Sequence, residues 1–295
     1  MSGWFSPFVF HSAVQAITPI LLAALAGALS TRAGVFNLAL EGQMLIGAFF
    51  AVVGSHISGS ATIGVAAAIV AATIFSGILA SGATVLRGDA VVVGIAMNLL
   101  ASSLTAFLLR AWFGTGGTFA DPDLMGLATI GADMIGVPVI GWSFANQTLP
   151  TYVVWPLTAL IALVVAKTPL GLRLRAVGEK PEAARTLGLK VDSYRAGAVL
   201  CGGALCGLAG AQLSLGAVSV FAEDMSAGRG WIAVVAVMLG RADPLRSAAA
   251  CIIFGFADAF GVRLQALGLP NQLTDVAPYV VTLAALIAER ARRQS

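Results

Sequence analysis

Few side chains in this sequence can do chemistry where they stand. The most conspicuous is Glu41, a carboxylate in the apolar run Gly34-Val-Phe-Asn-Leu-Ala-Leu-Glu-Gly-Gln-Met-Leu-Ile-Gly-Ala48. An ionised carboxylate in hydrocarbon costs up to about 3 kcal/mol unless it is paired, protonated or turned to water. If residues 35–56 form one helix, Gly34, Asn37 and Glu41 fall at i, i+3 and i+7 on one face, turned to a bundle interior. Asn98, eight residues into another apolar run, would lie at a comparable depth. Such a cluster could line or gate a path for a polar solute. It could equally be hydrogen-bonded glue between helices, or Glu41 could carry a proton. Asp258, also inside an apolar run, could form a structural ion pair with Arg229 or Arg263, or line a path.

The second feature is a polar stretch, Gly171-Leu-Arg-Leu-Arg-Ala-Val-Gly-Glu-Lys-Pro-Glu-Ala-Ala-Arg-Thr-Leu-Gly188. A short helix is written into it after Glu179. Pro181 suits the first helical position and Glu182 the positive end of the dipole. Ala183, Ala184 and Leu187 favour helix, and Gly188 is a natural stop. About two turns are too few to be stable alone, so the helix needs a surface to lean on. The alternative is a solvated topogenic loop.

Other chemistry is missing. There is no Gly-x-x-x-x-Gly-Lys-Ser/Thr loop and there are only three lysines, so the chain does not bind ATP in the P-loop manner. Gly228-Arg229-Gly230-Trp231-Ile232-Ala233 loosely fits a dinucleotide fingerprint, but no strand precedes it. His11 and His56 are the only histidines, which argues against a metal centre or a His-based triad. Cys201, Cys206 and Cys251 sit in apolar runs as small hydrophobes. No catalytic site is expected.

The elements that must position these residues follow from composition. Hydrophobic residues are 58% of 295 and charged residues 11%, against about 25% in an average soluble protein. Mean hydropathy is +0.92. So few charges cannot cover a water-facing surface, so the chain is an integral membrane protein. Runs of about 20 apolar residues point to helices, not a barrel. The expected fold is an all-α polytopic bundle, one transmembrane domain over residues 1–295. About nine spans (eight to ten) are read, near 9–30, 35–56, 62–86, 90–113, 151–168, 194–217, 229–240, 246–262 and 275–289. The seventh is too short to cross alone, and a re-entrant piece is conceivable between 219 and 231.

With the N-terminus outside and no positive residue before Arg32, alternation places fourteen of the seventeen Lys and Arg in inside breaks. That puts the C-terminus in the cytoplasm, segment 114–150 outside and loop 169–193 inside. The net charge of +3 and pI near 9.0 therefore reflect topology, not nucleic-acid binding. Gly203 and Gly207, a small-xxx-small pair, suggest close helix packing, within the chain or between subunits.

Two segments carry a family resemblance. Glu182-Ala183-Ala184-x-x-x-Gly188 resembles the Glu-Ala-Ala…Gly loop of ABC importer permeases. Arg32, Gly34, Asn37, Glu41 and Gly42 match in order the Arg-x-Gly-x-x-Asn-x-x-x-Glu-Gly pattern of the nucleoside and simple-sugar type. Gly228–Ala233, with Gly240 and Pro244, looks like the same family's Arg-Gly-Trp-Ile-Ala segment. Branched-chain amino-acid permeases are related but typically differ at Glu41-Gly42. The resemblance implies a coupling helix at 181–188 docking on a cytoplasmic ATPase, which holds ATP and Mg. It also implies a second permease subunit, like or unlike, an extracytoplasmic solute-binding protein, and a small polar solute crossing a bacterial inner membrane. The favoured solute is a nucleoside or purine, then a simple sugar, then a branched-chain amino acid. An ion-coupled secondary transporter is the rival from another class.

Overall fold

The computed structural model describes residues 7–122, 124–131 and 140–266. Its elements are α1 (Pro7–Arg32), α2 (Leu40–Ser58), α3 (Ala61–Thr84), α4 (Ala90–Phe113), α5 (Ile140–Phe144), α6 (Leu149–Lys167), α7 (Pro169–Glu179), α8 (Pro181–Thr186), α9 (Val191–Ala211), α10 (Arg229–Leu239) and α11 (Pro244–Ala266). The two-residue strands β1 (Thr118–Phe119), β2 (Thr129–Ile130), β3 (Gln147–Thr148) and β4 (Phe221–Ala222) are antiparallel pairs, β1 with β4 and β2 with β3.

The membrane-spanning helical bundle expected from composition is what the chain forms. Among the described residues, α1, α2, α3, α4, α6 and α9 are long and apolar enough to cross a membrane. At eleven residues α10 is too short to do so, which agrees with the short seventh span. The expected eighth span falls within α11, and the ninth, 275–289, lies outside the described residues.

The bundle is built around α1. Its most apolar stretch is 78% buried inside the chain, against 22% for α4 and 28% for α6. Small residues explain the centre: Ala23, Ala24, Ala26 and Ala28 are fully buried and let α9, α10 and α11 approach. The glycines of α9 act the same way. A Cβ on Gly207 would lie 2.5 Å from the Ala68 carbonyl of α3, and one on Gly203 would lie 2.3 Å from Ser76 Oγ. These glycines therefore pack helices of one chain together. The outer helices carry exposed Ile74, Leu99, Phe107 and Leu163, a surface suited to lipid or another subunit.

The bundle has two distinct ends. At one, the basic end, Arg32 at the close of α1 donates from Nε to the Ala242 carbonyl between α10 and α11 (2.8 Å) and lies 3.9 Å from Asp243. The α3–α4 turn, α7, α8 and the start of α9 gather there as well. At the other, the cap end, β1–β4 ties residues 118–119 to 221–222, and Arg110 lies 3.5 Å from Glu223. His56 stands 3.3 Å from Asp121 and edge-on to Phe113 and Phe119. The described part of segment 114–150 thus folds over the bundle's cap end.

One expected element is different. The second span is not a helix over 35–56: residues 33–39 are non-helical, and α2 begins at Leu40. Gly34 turns the chain at φ +84°, and Asn37 Oδ1 accepts the Ala39 N–H (2.9 Å). That local bond competes with helical pairing. Gly34, Asn37 and Glu41 therefore do not share a helical face.

Candidate functional site

The break before α2 creates a junction inside the bundle. From it α2 runs toward the cap end and α10 toward the basic end, so two helix N-termini meet within apolar surroundings. Each leaves N–H groups without an intrahelical acceptor and presents partial positive charge. Glu41 answers both needs at α10. Its Oε1 accepts the Gly228 N–H (2.8 Å) and its Oε2 the Gly230 N–H (2.6 Å). Gly228, at φ +80°, turns the chain into the helix. Gly230 must lack a side chain, because a Cβ there would stand 2.5 Å from Glu41 Cα.

Asn98, on α4, serves the other terminus. Its Oδ1 accepts the Gly42 N–H (2.8 Å) and its Nδ2 donates to the Leu38 carbonyl (2.9 Å), bridging the last extended residue and the first turn of α2. Asn37 is buried and donates from Nδ2 to Gln43 Oε1 (3.3 Å). Gln43 is fully buried, and its Nε2 has no hydrogen-bond partner. The sequence put Glu41 and Asn98 at a comparable depth but gave no sign of their partners, which are backbone groups of Leu38, Gly42, Gly228 and Gly230. Gly-Arg-Gly before a short apolar helix was the available signal. Gln43, one turn from the break, was missed outright.

Arg229 sits at the first position of α10, where a cation opposes the helix dipole. Its Nη2 lies 3.6 Å from Asp258 Oδ2 of α11, with both side chains largely buried. The two carboxylates, Asp258 beside Arg229 and Glu41 on the backbone N–H groups, bring negative charge to this terminus. Arg229 Nε is buried without a partner. The side chain of Arg263 lies outside the described residues.

At the basic end, α8 buries one residue against its neighbours. Ala184, 2% exposed, packs with Val177 of α7 and Val191 of α9. Pro181 opens the helix, and Gly188, at φ +80°, closes it. The Gly188 N–H donates to Arg185 O (2.9 Å) and the Leu189 N–H to Ala184 O (3.0 Å), a Schellman pairing. Arg185 bridges Glu182 (3.0 Å) and Asp192 (3.5 Å). Glu179, Glu182, Ala183 and Leu187 point outward, Leu187 at 80% exposure.

The two regions are in contact. At the close of α7, a Cβ on Gly178 would lie 2.2 Å from the Arg32 carbonyl, and one on Gly34 would lie 3.1 Å from Gly178 Cα. Arg195 of α9 donates from Nε to Ala33 O (3.3 Å). The segment leading to Glu41 is therefore packed directly against α7 and tied to α9. Among the described residues no cluster of three metal-ligating side chains exists.

Comparison with known proteins gives this arrangement a context. Residues 9–286 match the family described as "Branched-chain amino acid transport system / permease component". The chain is 34% identical to the guanosine ABC transporter permease protein NupQ of Bacillus subtilis, covering 91% of this chain and 87% of that one. It is 34% identical to the nucleoside ABC transporter permease protein NupC of Lactococcus lactis (91% and 88%). TsgC13 of Haloferax volcanii, assigned as a glucose ABC transporter permease protein, is 32% identical (96% and 91%). The fold resembles that of a solved inward-facing ABC transporter assigned to the metal-chelate type, with TM-score 0.54 and 15% identity over 96% of this chain and 85% of that one.

Proposed function

This chain belongs to the permease-component family of branched-chain amino acid transport systems, and we propose from that membership that its solute is a nucleoside or a related purine compound. It is a membrane-spanning permease subunit of an ABC importer and has no ATPase site of its own. The solute reading draws on NupQ and NupC, both named for nucleoside-type solutes. A simple sugar is the second reading, favoured by TsgC13. The family description alone would favour a branched-chain amino acid.

The observation that carries the mechanism is α8: a short capped helix held by one buried alanine, with Glu182 and Leu187 uncovered. In the proposed orientation the basic end faces the cytoplasm of a bacterium and α8 docks on an ATPase subunit, which binds ATP and Mg. The cap end faces outward and receives solute from a binding protein. A second permease subunit, a copy or a relative, completes the pathway. Closure of the ATPases displaces α8, and α7 passes the motion through Gly178 and Gly34 to the segment before Glu41. The bundle has two states, and ATP biases them. Asn37, Glu41 and Asn98 act here as the gate's hinge.

Co-purification tests the docking. Glu182→Arg or Gly188→Arg is expected to abolish association with a P-loop ATPase while the permease still folds. Retained association overturns it. Uptake of labelled nucleosides tests the solute; accumulation of a sugar but of no nucleoside overturns the first choice. Uptake that persists without any ATPase and collapses with an ion gradient would mark a secondary transporter instead.

A further inference from the structure

We propose that the groove between α6, α7 and α9 at the basic end binds one anionic phospholipid, its acyl chain in the groove and its phosphate on Arg173. The groove has a volume of about 370 Å³. Leu160 and Val164 of α6, Leu170 of α7, and Tyr194, Gly197 and Cys201 of α9 line it. Leu160 and Leu170 are 56% exposed, and nothing lies within 4 Å of where a Cβ on Gly197 would be. From Tyr194 to Cys201 the α9 wall descends about 10 Å at 1.5 Å per residue, long enough for half an acyl chain.

The mouth chooses the headgroup. Arg173 Nη1 lies 3.4 Å from Tyr194 OH, so a guanidinium and a phenol stand together where the apolar wall ends. No carboxylate lies within 4 Å of Arg173 among the described residues, although Arg185 nearby has two. Residues 167–195 carry seven Lys and Arg against three Asp and Glu. Helix α7 has the pattern of a helix lying in the interface: Leu170 and Leu172 are exposed apolar residues beside Arg173. An unpaired cation at the interface above an acyl-sized apolar slot favours an anionic lipid over a zwitterionic one. A lipid seated here would touch α7 and α9, which flank the proposed docking helix. Its binding does not depend on which solute is carried or on whether α8 docks an ATPase.

Cys201 supplies the probe, because it is exposed whereas Cys206 and Cys251 are buried. The purified full-length protein is labelled there with a small fluorophore and titrated with brominated phosphatidylglycerol or brominated phosphatidylcholine in mixed micelles. Phosphatidylglycerol is expected to quench at a concentration lower by about fivefold, the equivalent of about 1 kcal/mol for one cation near an anionic headgroup. Arg173→Gln is expected to erase the preference while leaving quenching at high lipid intact. Equal quenching of the parent protein by both lipids, or a preference that survives Arg173→Gln, overturns the proposal. So does no quenching by either, which would mean that a second copy or another part of the chain covers the groove. Because a bulky label fills part of the slot, native mass spectrometry of unlabelled protein provides the second measurement. Retained phosphatidylglycerol should fall in Gly197→Trp and in Arg173→Gln, and undiminished retention in both overturns the assignment.

Discussion

Helix α8 and the α2–α10 junction are both places where regular helix stops, and they are held in opposite ways. The junction is internal. Glu41 and Asn98 together accept three backbone N–H groups and donate to one carbonyl, all within the fold. At α8, among the described residues, Glu182 and Arg185 are paired with each other and Arg185 with Asp192, at the surface. Hydrogen bonds from N–H donors to a charged group are worth about 1.5–3 kcal/mol each. Exposed ion pairs are worth about 0–1 kcal/mol. The chain thus supplies the junction with its own partners and leaves α8 lightly held, which is what the docking proposed for it requires.

The contrast can be broken by substitution. Glu41→Ala should have the largest effect, since it strands two N–H groups and leaves Arg229 at a positive helix end. A loss of about 3 kcal/mol or more is expected in detergent unfolding. Unfolding like the parent's would show that water or another group already serves α10, and the comparison would fail. Gly230→Ala should follow at about 1–3 kcal/mol, because its methyl would meet the Glu41 backbone. Asn98→Ala should cost about 1–2 kcal/mol, and Asn98→Asp should not rescue it, because a carboxylate cannot donate to the Leu38 carbonyl. Arg185→Ala should change stability least, within about 0.5 kcal/mol. A cost there as large as at Asn98 would mean α8 is a structural element first. Glu182→Arg sharpens the same point from the functional side. It should leave the unfolding midpoint unchanged while ATPase association is lost.

Much of this was legible in the chain. The local signals at Pro181, Glu182 and Gly188 concern neighbours in sequence, and the helix they delimit is present. Apolar runs marked most spans for a similar reason, since length and hydropathy are properties of a segment by itself. The second span was misread because Gly34 and Asn37, which break it, sit inside an apolar run whose hydropathy does not change. The strand pairing of 118–119 with 221–222 was illegible, since two residues carry no periodicity.

The sequence by itself determined that the chain lives in a membrane, that cations gather at one end of its helices, and that a carboxylate would need a partner within the apolar region. Those facts follow from transfer free energies, which depend on residue type alone. Only the tertiary structure decided what Glu41 touches. Its partners are peptide N–H groups nearly two hundred positions away, and every residue but proline has such a group whatever its side chain. They become available as partners only where a helix begins inside the bundle, which is a matter of packing and not of composition.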